Sequence, residues 1–274
     1  MGYLIGAAIL GIAGLIMWIM KGKKEGKSAT LQSIETSDVK DVNELWESMR
    51  NSMGDGSFTH IVELKGVAHA DSPLTSELAK TECVYYSSKI THKYEKLERK
   101  KNSEGKMEEK WVKHEDIVSE NKQWANNFGV KDSTGFIQVD PTKAELHEEQ
   151  LYSTFEKGDP SENNALNVKI GGVSFGIGKK DKGYKTIGYK YEEHGIKLGS
   201  DLYVVGDAND RDGKVEVSKP KDKKQPFIVS IKSKDQIVGS LGSAITGLKW
   251  GSFISWGLAG AALIAGILNL LKVF

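Results

Sequence analysis

Two long apolar stretches lie near the ends of the chain and enclose a polar middle region. Residues 2–20 contain no charged side chain. As a helix rising about 1.5 Å per residue they would extend roughly 28 Å, enough to cross a bilayer. Residues 250–271 form a second such stretch, between Lys249 and Lys272. The pattern predicts a transmembrane helix at each end. A cleaved signal peptide is the alternative for the first, but no Lys or Arg precedes its apolar run and no small-x-small cleavage site follows.

Small residues recur at helical spacing in both predicted spans. In the second, Gly257, Ala261 and Ala265 share one helix face, where two backbones can approach closely. We expect helix packing there, within one chain or between protomers of a homo-oligomer; the alternative is that glycine is simply common in membrane helices. Lysines follow the first span and precede the second. The positive-inside rule therefore predicts a two-pass integral membrane protein with its middle region in the cytoplasm.

The middle region begins with a basic, polar segment. Residues 21–56 predict a juxtamembrane linker followed by a short amphipathic helix, which Ser37 or Asp38 could cap and Gly54 could end.

Strand-like patterns dominate from Phe58 onward. Short alternating runs are separated by Gly and by Asp or Asn clusters, so residues 57–231 predict about nine or ten short strands in a barrel or sandwich. Residues 232–249 form a second juxtamembrane segment. The predicted fold class is mainly β with one short helix, flanked by two transmembrane helices.

Charge and cysteine content exclude several functions. The chain has 38 basic and 37 acidic residues, and because one of the basic residues is Lys272, the region from Lys21 to Lys249 has 37 of each. A neutral region is a poor candidate for nucleic-acid binding, which usually needs a strongly basic face. The one cysteine, Cys83, excludes a disulfide framework and a Cys₄ or Cys₂His₂ zinc site. We predict no cofactor and no bound metal.

Two local motifs resemble catalytic or metal-binding sequences. Residues 172–176 match G-x-S-x-G around Ser174, but a glycine-rich turn follows where a nucleophile elbow requires a helix. Residues 207–213 resemble a calcium loop, yet Arg211 or Ala208 fills a ligand position in either register. We interpret both segments as hairpins.

Several short motifs, taken in order, resemble the GIDE-type family, also called the beside-a-membrane domain. They lie between the two spans and cover nearly the whole chain: residues 62–67, 72–74, 83–86, 132–135, 139–141, 187–189, 199–206 and 226–230. Members of the family include membrane-anchored ubiquitin and SUMO ligases. The resemblance implies a β-domain that senses or binds something at the membrane surface.

This sequence departs from those ligases in one respect. In them a zinc-binding RING follows the second span and needs about eight Cys and His ligands, which this sequence does not contain. We therefore expect a protein that is not itself an enzyme, a scaffold or sensor with membrane lipids and an unknown protein as partners. The alternative is a component of a ubiquitin-type conjugation or stress-response system that uses a RING from another chain.

The partner or ligand surface is predicted around the turn that contains Asp132 and Gly135, together with Asp140. Tyr86 and Tyr189 would lie nearby if their strands pair suitably. The alternative for all five residues is that they shape the fold.

Overall fold

The computed structural model describes residues 2–54, 56, 58–101, 105–158, 167–170, 173–176, 184–211 and 213–271. Within these ranges it contains three helices and fifteen strands. The helices are α1 (Gly2–Ser33), α2 (Val39–Met53) and α3 (Lys234–Leu270). The strands are β1 (Thr36–Ser37), β2 (Thr59–His69), β3 (Leu74–Thr75), β4 (Glu82–Lys101), β5 (Met107–Trp124), β6 (Gly129–Lys131), β7 (Phe136–Val139), β8 (Glu145–His147), β9 (Glu149–Lys157), β10 (Asn167–Ile170), β11 (Val173–Gly176), β12 (Tyr184–Lys197), β13 (Asp201–Arg211), β14 (Lys214–Ser218) and β15 (Ile228–Ser230).

Five strands close a small barrel. β2 pairs antiparallel with β6 and β13, β6 pairs with β7, and β13 pairs with β14. A parallel pairing of β14 with β7, which places Val217 opposite Val139, completes the ring. Alternate apolar side chains fill the interior because successive residues of a strand point to opposite faces. The most deeply buried include Val62, Leu64, Val130, Ile137, Val204 and Val217.

A second antiparallel sheet of long strands packs beside the barrel. β12 lies between β4 and β9, and β5 pairs with the other edge of β4. Val84, Tyr85 and Ile196 from this sheet belong to the same buried cluster as the barrel residues. The β-rich prediction is confirmed. β4 and β5, with 20 and 18 residues, are longer than the short strands expected. β8 and β9 were not predicted, because alternation is weak where both faces carry charged side chains.

α1 and α3 are antiparallel partners along most of their length. Both are long and apolar enough to be candidates for crossing a membrane. Ser255 Oγ donates to the Leu10 carbonyl at 2.6 Å, and Lys234 Nζ donates to the Ile34 carbonyl at 2.8 Å, so the two helices remain together from the apolar part to the barrel. Residues 21–33 therefore continue α1, where the sequence predicted a linker.

The remaining local predictions agree with the structure. α2 ends at Gly54, whose φ of 87° suits glycine. The segment around Ser174 is an antiparallel hairpin of β10 and β11, although Gly172 lies outside the described residues. Residues 207–211 belong to β13, and Arg211 pairs with Lys214 in the hairpin with β14, as interpreted, although Asp212 lies outside the described residues. Cys83 is fully buried, and burial, reinforced by the charge of Glu193, raises the pKa of its thiol to about 11.

Candidate functional site between the barrel and the helices

A buried carboxylate connects the barrel to the start of α3. Glu63 lies on β2 and has no solvent exposure. Its Oε2 atom lies 2.8 Å from Lys234 Nζ and accepts a hydrogen bond from the Tyr203 hydroxyl at 3.0 Å. Its Oε1 atom accepts a hydrogen bond from Thr36 Oγ1 at 2.7 Å. One side chain thus contacts the residues after α1, the first residue of α3 and strand β13. We call Glu63, Lys234, Tyr203 and Thr36 the joint.

The electrostatics of the joint favour an ionised Glu63. Burial opposes ionisation, but hydrogen bonds from Lys234, Thr36 and Tyr203 outweigh it and hold the pKa of the Glu63 carboxyl below its ordinary value. Burial, with the adjacent charge of Glu63, raises the pKa of Tyr203, which therefore remains a neutral hydrogen-bond donor. The Glu63 carboxylate pairs with the largely buried Lys234 ammonium at 2.8 Å and, at 3.3 Å, with the exposed Lys65. Breaking the pair with Lys234 leaves a charge that water reaches poorly.

Apolar side chains extend the joint into a small second core. Leu31 of α1 packs with Tyr203, Val205, Ile228, Ile237 and Leu241. Leu31 has no solvent exposure, and Ile237 has 1%. This cluster contains residues of α1, α3, β13 and β15. The C-terminal end of α1 and the N-terminal end of α3 therefore pack against the β-domain.

A cavity of about 910 Å³ opens beside the joint. Val67, Leu202 and Ile231 contribute apolar side chains to its lining, which also contains charged residues of both signs: Lys65, Lys131, Lys232, Asp132 and Asp201. The start of α3 also contributes, since Ser233 and Gln236 form a reciprocal capping box there. We call this space the junction cavity. A lining that combines apolar side chains with polar and charged ones suits a peptide segment better than a small polar metabolite.

Asp132, a predicted site residue, lines the junction cavity, but its carboxylate oxygens accept hydrogen bonds from the backbone of the protein itself. Its Oδ2 atom accepts a hydrogen bond from the Val39 backbone N–H at 2.8 Å, and its Oδ1 atom accepts from the backbone of Thr134 and Gly135. Asp132 therefore caps α2, whereas the N-cap residue Asp38 makes no side-chain capping bond. Burial alone would raise the pKa of the Asp132 carboxyl, but these hydrogen bonds have the larger effect and hold the pKa below its ordinary value.

Of the other predicted surface residues, Gly135 lies in the same turn as Asp132, whereas Tyr86 and Tyr189 lie in the second sheet. Gly135 packs against α2, where an added Cβ would lie 3.2 Å from Val39 Cγ1. Asp140 follows β7 and accepts a hydrogen bond from the Thr142 backbone. Tyr86 and Tyr189 lie on the second sheet and are 4% and 3% exposed. The turn joins β6 and β7 of the barrel, so the strand pairing on which the expected proximity depended places these two tyrosines in a different sheet from the turn.

The predicted helix-packing residues face away from α1. Gly257, Ala261 and Ala265 are exposed on α3, and an added Cβ at Gly257 would meet nothing within 4 Å. The face of α3 against α1 consists instead of Ser252, Ser255, Ala259 and Gly266, which are all buried. Packing between protomers through Gly257, Ala261 and Ala265 stays a prediction.

Sequence reasoning missed Glu63, Tyr203 and Lys234 as a group. One signal was available: Glu63 is a lone acid inside the apolar run Val62-Glu-Leu64, and Lys234 opens a long apolar helix. A buried carboxylate in such a strand requires a positive or hydrogen-bonding partner.

Comparison with known proteins identifies the family. A profile of the GIDE family, described as E3 ubiquitin ligase, matches residues 95–265, which is more than half of the chain. The chain belongs to the GIDE family. This match includes β5, β9 and β12 and the end of β4 from the second sheet, four of the five barrel strands and most of α3.

One curated relative of this GIDE protein is the E3 ubiquitin-protein ligase SPL1 of Arabidopsis thaliana. The two are 31% identical over 126 residues, which is 45% of this chain and 34% of the relative. The chain thus spans about a third of the length of the relative that it matches. No solved structure matches the chain.

Proposed function

We propose that this GIDE protein is an integral membrane protein whose β-domain binds a protein partner beside the bilayer and acts as a non-catalytic scaffold or sensor. The observation that supports this function best is the joint. Glu63 and Lys234, with Thr36 and Tyr203, fix the barrel to both helices, so a partner bound to the barrel is held at a set place relative to the membrane.

The junction cavity is the proposed partner site. Val67 is 36% exposed at its wall, which is enough for an incoming apolar side chain to contact it. A photo-crosslinking amino acid at Val67 tests this, with Val118 on β5 as the matched control, because Val118 is similarly exposed at 41% and does not line the cavity. We expect a discrete cross-linked protein in native membranes from position 67 but not from position 118. Equal labelling from both positions would refute the site.

A second candidate function is a role in ubiquitin-type conjugation with a RING supplied by another chain. The family match and the similarity to SPL1 favour it. Its test is discharge of ubiquitin from a charged conjugating enzyme, measured with the purified full-length protein alone and with an added RING domain. Faster discharge only in the mixture would support this role, and no change in either would argue against it.

The β-domain is proposed to face the cytoplasm, on the evidence of the lysines beside the spans. Because Cys83 is buried, the wild-type chain should react poorly with a membrane-impermeant maleimide, and a Lys110→Cys variant supplies an exposed thiol on β5. We expect labelling of this variant only after cells are lysed. Labelling in intact cells would reverse the orientation.

A further inference from the structure

A second cavity, of about 840 Å³, lies between the continued part of α1 and two loops of the β-domain. Six lysines line it, two from α1 and four from the loops: Lys23, Lys27, Lys143, Lys219, Lys223 and Lys224. We call it the basic groove. In the sequence the lysines of α1 indicate only the topology, and no local motif marks the lysine-rich run 219–224 as a site.

The positive charge of the basic groove is largely uncompensated. Glu145 is the acidic residue that lines it, and its carboxylate already contacts Lys27 and His147. Asp222, in the same loop, accepts a hydrogen bond from the Lys224 backbone N–H at 2.9 Å. Among the described residues, no carboxylate forms an ion pair with the other five lysines. Five ammonium groups around one cavity repel each other unless an anion enters.

The position of the basic groove matches the surface of a bilayer. The apolar run of α1 ends at Met20, and the groove uses α1 from Gly22 to Thr30. At about 1.5 Å per residue, it begins roughly 3 Å beyond the apolar run and ends roughly 15 Å beyond it. Polar headgroups occupy about 5–8 Å on each side of the hydrocarbon. The near end of the groove therefore lies at headgroup height.

Aromatic side chains mark the same boundary independently. Lys21 Nζ lies 4.4 Å from the ring centroid of Trp18, and the Trp18 and Trp256 ring centroids are 5.7 Å apart. Trp and Lys concentrate where hydrocarbon gives way to headgroups. Gly22 and Lys23 follow directly after this boundary, so an anion in the near end of the groove would sit beside the bilayer.

Hydrogen bonds within the two loops hold the shape of the basic groove. Asp222 hydrogen bonds fix the turn at 222–225, where the Gln225 N–H also donates to the Asp222 carbonyl at 3.1 Å. Lys143 has a φ of 67°, a left-handed conformation that is uncommon for lysine, in a turn closed by Ala144 N–H to Pro141 O at 3.0 Å. A site that is ordered in advance loses less conformational entropy when a ligand binds.

We propose that the basic groove binds the headgroup of an anionic phospholipid carrying at least two negative charges. The lysine count favours more than one phosphate, and the volume exceeds that of a single phosphate ion. The inference deepens the proposed function and rests on its first premise, that the β-domain stands beside the bilayer.

The test compares two triple variants of the full-length protein. Lys143→Gln, Lys223→Gln and Lys224→Gln remove three groove charges. The control removes three exposed lysines of β4 and β5, by Lys100→Gln, Lys110→Gln and Lys113→Gln. The probes are mixed micelles containing cardiolipin, which has two phosphates, phosphatidylglycerol, which has one, or phosphatidylcholine, which is neutral overall; bound lipid is counted by native mass spectrometry.

We expect the wild type and the control to prefer cardiolipin, and the groove variant to bind it on the order of 100-fold more weakly, since each lysine near an anionic surface contributes roughly fivefold. Equal cardiolipin binding by both triple variants would overturn the proposal. So would tighter binding of soluble inositol hexakisphosphate than of cardiolipin, because the ligand would then not be a lipid.

Failure of this proposal can be separated from failure of the partner site. The position-67 cross-link is measured in the groove variant as well. A retained cross-link with unchanged lipid binding would overturn only the lipid inference. Loss of cardiolipin binding with a retained cross-link would support a lipid site distinct from the junction cavity.

Discussion

Replacing Glu63 by glutamine removes one charge from the joint while keeping nearly the same side-chain shape. The amide oxygen can still accept a hydrogen bond from Thr36 or Tyr203, so packing should change little. Lys234, however, would lose the carboxylate that lies 2.8 Å from its Nζ atom. The main effect is therefore an ammonium group left without its counter-charge.

The size of this effect follows from burial. Removing one partner of a fully buried ion pair typically costs about 3–5 kcal/mol. The Lys234 side chain is 20% exposed and keeps its hydrogen bond to the Ile34 carbonyl, so part of its charge remains solvated. We expect the free energy of unfolding to fall by about 2–3 kcal/mol. For a domain of this size each kcal/mol corresponds to about 2–4 °C, so the unfolding temperature should fall by roughly 5–10 °C.

The dependence on pH gives a second, independent expectation. The folded-state pKa of Glu63 lies below its ordinary value of 4.5, so the folded state binds this proton less readily than the unfolded state. The stabilisation is fully present above that ordinary value and is lost as pH falls through the folded-state pKa. The difference in stability between wild type and Glu63→Gln should therefore be largest near neutral pH and shrink in acid.

The assay is thermal unfolding of the full-length protein in detergent, followed by tryptophan fluorescence at several pH values. Lys65→Gln is the control, because Lys65 also lies near Glu63, at 3.3 Å, but is 52% exposed. It should cost no more than about 0.5–1 kcal/mol, as exposed pairs do. Two results would refute this reasoning: an unfolding temperature of Glu63→Gln equal to that of the wild type at neutral pH, or a difference between the two unfolding temperatures that does not shrink in acid. Either would show that the Glu63–Lys234 ion pair does not stabilise the joint.

Three further changes test other parts of the structure. Burial raises the pKa of the Glu148 carboxyl, so Glu148→Gln should raise the unfolding temperature at alkaline pH, with the gain vanishing in acid; a gain independent of pH would contradict this reasoning. Lys143→Gly should relieve a left-handed backbone and keep or raise stability by up to about 1 kcal/mol, yet weaken cardiolipin binding severalfold; unchanged binding would count against the groove. Gly14→Ala would place a Cβ 2.3 Å from the Trp256 ring and should cost about 1–3 kcal/mol in thermal unfolding, whereas Gly6→Ala, which meets no neighbour, should cost nothing; equal effects would refute the packing.

Local sequence signals predicted those parts of the fold that depend on neighbours in the chain. The Asp132-to-Gly135 turn was predicted from its residue types, and the structure has it between β6 and β7. Alternation in β2 and β13 indicated strands with one face in a core. The alternation of apolar and polar residues is weak in β5 because most of its side chains are exposed on both faces. The full length of β5 is therefore evident only from its pairing with β4.

The joint depends on pairings that no local pattern contains. Glu63 meets Tyr203 because β2 and β13 are paired, with Leu64 opposite Val204, and it meets Lys234 because α3 starts where the barrel ends. The small residues of α3 show the same limit. Spacing predicts which positions share a helix face, but it does not say which face meets α1, and the buried face is the one with Ser255 and Ala259.

The continuity of α1 ties the two proposed sites to the membrane in one way. A flexible linker at residues 21–33 would let the barrel sample many heights above the bilayer, and a groove shared between linker and loops would rarely be complete. A helix instead holds Lys23 and Lys27 at fixed positions along its axis and ends at Ser33, just before Ile34, whose carbonyl accepts a hydrogen bond from Lys234. The basic groove, which follows α1 from Gly22 to Thr30, and the joint, which begins at Thr36 just after α1, are therefore connected through the same helix. Headgroup binding in the groove would fix the orientation of the junction cavity without any change in its shape.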